Sequence, residues 1–228
     1  HLSDAILAIR DETTLKKTLS DVTRDFGFHA YAYLSVLTNW VVAVSNYPSD
    51  WQTAYFQHGY DKLDPIVITA KTGMKAFVWS SDVGRKQAPE IVRRFWDEAA
   101  EFDIRSGVTI PVRTSFGHMA MLTFASKHPG MVSKRGIDAV TAAAVVGQLH
   151  GRVETLNVQP TSEKRLNLRP KEINYLHWAA EGKSMEEIAD IQGVKYNSVK
   201  INIENAKKRS GTRNLIQLVS LAISQGVI

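Results

Sequence analysis

The chain has no cysteine. Disulfides and thiolate metal sites are therefore excluded, which fits a reducing cytoplasm. The seven histidines are scattered, with no ligand-like i, i+4 pair. No apolar run approaches the roughly 20 residues of a membrane span, and the N-terminus lacks the basic-then-apolar order of a signal peptide. No G-x-S-x-G elbow, glycine-rich phosphate loop or metal-ligand cluster is present, which argues against an enzyme and against a bound cofactor. His at position 1 in place of Met implies that the chain starts a few residues into the native one.

What the sequence does have is a length of 228 residues that are 44% hydrophobic, enough for two modest domains with real cores. Charge is uneven between the two ends. Residues 163–228 carry 11 Lys/Arg against 7 Asp/Glu, and residues 1–162 carry 17 against 16. A basic C-terminal domain on a near-neutral larger one suggests a nucleic-acid reader governed by something else.

The stretch Arg169 to Lys208 reads as three short helices punctuated by Gly182 and Gly193. Pro170 suits a first helical turn, and Ile173, Leu176, Trp178 and Ala180 are expected to turn inward. Ser184 with Glu187 three residues on forms a capping box for a second helix, with Ile188 and Ile191 expected in the core. In the third helix Val199, Ile203 and Ala206 fall at i, i+4 and i+7. That leaves Tyr196, Asn197, Lys200, Glu204, Lys207 and Lys208 outward. Two helices joined by a glycine turn, the second presenting cations, are the helix-turn-helix solution to reading a major groove about 12 Å wide.

Earlier in the chain, residues 2–26 read as a helix ended by Gly27, with Leu15, Leu19 and Val22 inward. Phe28–Val36 and Trp40–Val44 read as one antiparallel pair, and 107–112 with 119–124 as another. Helices are expected over Trp51–Tyr60, from Asp64-Pro65 to Ala70, and over Ala88–Glu101, with a short strand at Phe77–Trp79. The result is an α+β chain: an N-terminal α-β-α sandwich followed by an all-α helix-turn-helix domain. A long helix, 137–156, shows a stripe of Ile137, Val140, Ala144, Leu149, Val153 and Leu156, with small residues left over that could pair with a second copy. The polar, aperiodic stretch after it gives expected boundaries of 1–156, a linker 157–166, and 167–228.

Tyr47, Trp51, Tyr55, Phe56, Tyr60, Asp64 and Trp79 are a dense share of the aromatics of a chain that is only 9% aromatic. Residues alone favour a packed core with Asp64 capping a helix. A ligand with acyl and amide character would also satisfy their polar tips.

Glu172, Leu176, Gly182-Lys183-Ser184, Glu187-Ile188-Ala189, Val194, Ser198-Val199, Lys207 and Arg213 resemble the DNA-binding domain of the LuxR family. Trp51, Tyr55, Asp64, Pro65, Trp79 and Gly107 match positions of that family's acyl-homoserine lactone receptors. The stretches NYPSDWQTAYF, DKLDPIV, FDIRSGVTIP and MEEIADIQGVKYNSVK are very similar to members that activate conjugal transfer genes. The resemblance implies a cytoplasmic, homodimeric quorum-sensing activator that binds an oxo-octanoyl type of N-acyl-homoserine lactone and double-stranded promoter DNA, and works with RNA polymerase. A small antiactivator protein is a further implied partner.

By the same resemblance, Trp51 would donate to the lactone carbonyl, Asp64 accept the ligand amide N–H, and Tyr47 hold the amide carbonyl. Tyr55, Phe56 and Trp79 would wall the pocket, and Thr123 would reach the 3-oxo group through water. Lys183 and the outward residues of the third helix would face DNA. Lys200 and Glu204 stand where such receptors place base-reading arginines, so operator preference does not transfer. The alternative is an orphan regulator with altered DNA reading, its N-terminal domain controlled by a protein partner.

Overall fold

The computed structural model describes residues 5–6, 8–36, 41–130, 139–163 and 166–228. The expected strand start at Trp40 and the stripe position Ile137 lie outside them, as do residues 2–4 and 7 of the expected first helix and residues 164–165 of the expected linker. Two compact units emerge, His1–Lys164 and Arg165–Ile228.

The first unit is a six-stranded antiparallel sheet in the order β3-β4-β5-β1-β2-β6. Its strands are β1 (Ala30–Val36), β2 (Val41–Ser45), β3 (Phe77–Ser80), β4 (Ser106–Arg113), β5 (Met119–Ser126) and β6 (Ser162–Glu163). The helices are α1 (Glu12–Asp25), α2 (Ser49–Gln57), α3 (Pro65–Gly73), α4 (Ser81–Arg85), α5 (Glu90–Glu101) and α6 (Ala139–Thr155). Strand alternation sorts the core. Ala30, Leu34, Met119 and Met121 face one side, where α2, α3 and α5 pack. Tyr31, Tyr33, Leu122 and Phe124 face the other, against α1 and α6. This is the expected sandwich.

Several local expectations shift. Helix α1 begins at Glu12, because the Asp11 carboxylate accepts from the Thr14 N–H and caps it there. In α6, Val140 is 78% exposed and Ala144 is also outward, while Val145, Val146, Leu149 and Val153 are buried. The inward stripe is thus rotated from the expected one. Residues 157–163, expected as linker, lie on the first unit. Val158 is buried, and β6 pairs with β2 through Val42 and Ala43.

The second unit comprises α7 (Pro170–Ala180), α8 (Met185–Gln192), α9 (Tyr196–Ser210) and α10 (Leu215–Ser224). The Ser184–Glu187 capping box is formed in both directions. Gly193 ends α8 in the left-handed region at φ 62°, where a side chain would be strained. Val199, Ile203 and Ala206 are fully buried as expected. On α7, however, Glu172, Tyr175 and Leu176 are the buried residues, whereas Ile173 and Trp178 are half-buried and Ala180 is exposed. The rotation follows from Glu172, which accepts from the Arg169 N–H and from the Arg209 guanidinium. Ile191 is exposed.

Candidate functional site

A cavity lies on the α2–α3–α5 side of the sheet. Small residues on the strands make the room: Ala32, Ala43, Ser45 and Thr123, with the larger Leu34 and Met121, form its floor. Tyr47, Trp51, Gln52, Tyr55 and Phe56 come from α2 and the turn before it, Asp64 and Ile66 from the start of α3, Phe95 and Ile104 from α5 and beyond, and Ser162 from β6. The empty space between these walls is about 580 Å³, open solvent at its mouth included. Six of the seven sequence-predicted ligand residues line it: Tyr47, Trp51, Tyr55, Phe56, Asp64 and Thr123.

Trp79 does not. It packs against Trp96, with ring centroids 5.8 Å apart, and its indole N–H donates to the Thr109 hydroxyl at 3.0 Å. β3 pairs with β4, next to β5, so Trp79 connects to the cavity residue Thr123 through the Thr109 hydroxyl. Gly107 on β4 makes room for the Trp79 ring. A Cβ there would stand 2.5 Å from it and 2.3 Å from the Phe124 carbonyl oxygen.

Asp64 is the polar focus. Its carboxylate accepts the Ile66 N–H at 2.7 Å and the Val67 N–H at 3.4 Å, capping α3, and it accepts the Tyr55 hydroxyl at 2.9 Å. Burial pushes the carboxyl up to about 6, with the Ile66, Tyr55 and Val67 hydrogen bonds pulling the other way. Burial first, and then the nearby Asp64 charge, raise the Tyr47 and Tyr55 phenols, which remain protonated donors. Among the described residues, no hydrogen-bond partner engages the Trp51 indole N–H or the Tyr47 hydroxyl. Trp51 is otherwise held by rings, with Tyr55, Tyr60, Phe95 and Phe102 all within 6.0 Å of it, centroid to centroid. Two donors and one acceptor thus line a mostly apolar space. At the floor, the Thr123 and Thr109 hydroxyls are 2.9 Å apart.

Gln52 and Ser162 escaped the sequence reading. The Gln52 amide donates to the Tyr47 carbonyl at 2.7 Å and accepts the Thr161 hydroxyl at 2.8 Å. The Thr161 N–H in turn donates to the Ala43 carbonyl at 2.8 Å. No sequence pattern marks such a clasp. The floor residues, by contrast, follow from strand alternation once one of them is placed.

On the second unit, Lys183, Tyr196, Asn197, Lys200 and Lys208 are exposed. Lys183 sits 3.7 Å from Glu187. Lys207 departs from expectation. Its side chain is only 17% exposed and its ammonium pairs with Glu204 at 2.8 Å. Position 207 lies at the border of the buried face, one turn from Ile203, so its stem is covered. The hydrogen bond from Lys207, followed by the charges of Lys207, Lys208 and Lys200, holds the Glu204 carboxyl below the usual carboxylate range. Ile201 and Asn205, which the sequence reading left out, are exposed on the same helix. Among the described residues there is no group of three metal-ligating side chains, and no helix is long and apolar enough to cross a membrane.

Residues 11–150 match the autoinducer binding domain, and residues 166–222 match the luxR family of bacterial regulatory proteins. The chain is 45% identical over 227 residues to the transcriptional activator protein TraR of Agrobacterium vitis, covering 100% of this chain and 97% of the relative. It is 44% identical, with the same coverage, to TraR of Rhizobium radiobacter. Among solved structures, Escherichia coli SdiA matches with a TM-score of 0.59 at 19% identity, over 98% of this chain and 94% of SdiA. CepR2 of Burkholderia cenocepacia matches at 0.58 and 19% identity, over 70% of this chain and 94% of that one. With both units matched in order and the likeness to TraR running the length of the chain, the protein belongs to the LuxR family of autoinducer-binding transcriptional activators.

Proposed function

We propose that the cavity holds an N-acyl-homoserine lactone of the 3-oxo-octanoyl type, and that the loaded protein, as a homodimer, binds promoter DNA and activates conjugal transfer genes. The observation that carries this reading is the pairing of the uncommitted Trp51 and Tyr47 donors with the buried Asp64 acceptor, beside an apolar space. Trp51 donates to the lactone carbonyl, Tyr47 to the amide carbonyl, and Asp64 accepts the amide N–H. Such a charge-assisted hydrogen bond contributes about 1.5–3 kcal/mol. Phe56, Phe95, Met121 and Leu34 surround the acyl chain, and Thr123 offers its hydroxyl toward the 3-oxo oxygen.

Binding to the folded state alone adds RT ln(1 + [L]/Kd), about 2.7 kcal/mol at a hundredfold excess over Kd. The open face of α6 supports self-association. Val140 and Ala144 are exposed there, and a Cβ added at Gly147 or Gly151 would meet nothing within 4 Å. In the second unit, Lys183, Tyr196, Asn197, Lys200 and Lys208 face DNA, with RNA polymerase as the further partner in the cytoplasm. A small TraM-like antiactivator protein is a partner proposed from the likeness to TraR.

The test is to express the chain with and without 3-oxo-octanoyl-homoserine lactone, extract the purified protein with organic solvent, and analyse the extract by mass spectrometry. Stoichiometric intact lactone and a higher soluble yield with it are expected. A lactone-free extract with equal yields would favour the orphan reading, in which a protein controls this unit. Recovery of hydrolysed lactone only would point to an enzyme.

A further inference from the structure

Ile201 is 59% exposed on α9, whose buried side is Val199, Ile203, Ala206 and Ser210. An isoleucine this exposed contributes little to the unit's own core. Its β-branched side chain also suits a helix less well than the straight-chain residues that usually fill such faces. Its surroundings are polar and cationic. Asn197 is one turn before it, Asn205 one turn after, and Lys200 and Lys208 are exposed on the same side.

Two other outward residues are already engaged. The Asn202 amide donates to the Ser198 carbonyl at 2.8 Å, and Glu204 is tied to Lys207. Tyr196, Asn197, Ser198, Lys200, Ile201, Asn205 and Lys208 remain outward without such a bond. At about 1.5 Å rise per residue, Asn197 to Asn205 spans about 12 Å, or between three and four base pairs at about 3.4 Å each. Ile201 sits at the middle of that span and is its only apolar member. In the major groove the one apolar group on a base edge is the 5-methyl of thymine. An apolar spot rimmed by cations fits that methyl between flanking phosphates.

We propose that Ile201 is a specificity residue that packs on a thymine methyl, and so fixes a T·A pair near the middle of each half-site. This rests on the reading that α9 enters the major groove, and goes beyond it by assigning the base.

The full chain, loaded with 3-oxo-octanoyl-homoserine lactone during expression, is used to select duplexes from a random-sequence library. Each thymine of the selected half-site is then replaced by uracil, which lacks only the methyl. Affinity is read by fluorescence anisotropy at fixed salt. One thymine per half-site is expected at which uracil weakens binding about fourfold, the loss from burying one methyl fewer. Ile201→Ala should bind the thymine duplex about as weakly as the parent binds the uracil one, with no further loss on uracil. Ile201→Val should keep the discrimination. An unchanged thymine-to-uracil ratio in Ile201→Ala, or no thymine whose methyl matters, overturns the assignment while leaving DNA binding intact. If no duplex is enriched at all, the groove reading falls and takes the assignment with it.

Discussion

Asp64 and Glu204 are carboxylates on the two units, and their surroundings move them in opposite directions. Asp64 is sealed among aromatics and pushed up to about 6, whereas Glu204 is held low by the lysines around it on a wet helix face. The difference separates two ways of recognising a partner. In the cavity few polar groups act, each in a low dielectric where an unmet hydrogen bond is costly. On α9, many weak charges act through water, and their effect depends on salt.

The largest test of that contrast is pH. The Asp64 carboxyl titrates near 6 in the folded state against an ordinary 3.8. The folded protein thus keeps a proton that the unfolded chain has released. Without ligand, stability is fully present below about 4 and falls as pH rises toward about 6, by about 3 kcal/mol for a shift of this size. Thermal melts of the ligand-free protein over this range should show the decline, and Asp64→Asn, which retains a capping oxygen, should flatten it. An equal slope in both proteins would place the titrating group elsewhere.

A smaller effect is expected at Trp51. Trp51→Phe keeps the ring packing and removes the indole N–H, so lactone affinity by calorimetric titration should fall about tenfold, as loss of a buried hydrogen bond predicts. That loss should be the same at low and high salt. A salt-dependent loss would mean that the cavity is wetter than its burial implies.

The smallest changes belong to the helix face. Lys200→Ala should make the slope of log affinity for DNA against log salt shallower by about one, and Glu204→Gln should make it steeper by a similar amount. Neither should alter stability by more than about 1 kcal/mol, since the Glu204–Lys207 pair is partly solvated. Slopes that move together would show that Glu204 does not share the phosphate field with Lys200.

Much of this was legible in the residues. Aromatic and β-branched runs gave the paired strands, and the Ser184–Glu187 box with Val199, Ile203 and Ala206 gave the helix-turn-helix, because local chemistry fixes both. The cavity was only half legible. Asp64 followed by Pro65 read as a helix cap, which it is, while its contact with Tyr55 closes within the same short stretch. Trp79, which the resemblance implies as pocket wall, bonds to Thr109, the neighbour of Thr123 on the cavity floor, a sheet contact that sequence alone does not show. The Glu172–Arg209 pair turned α7 away from its apolar periodicity, since a buried carboxylate must have its partner. Lys207 sat where the helical repeat drifts between faces, so its position depended on packing. β6 carries no hydrophobic signal at all: it is Ser-Glu at a sheet edge, held by backbone pairing and the Thr161 clasp.

That clasp decides where the first unit can be cut. A fragment ending at Leu156, the boundary that periodicity suggests, would discard Ser162 from the chamber's side and leave the Gln52 amide without Thr161. A sensor fragment meant to retain its pocket has to run through Glu163.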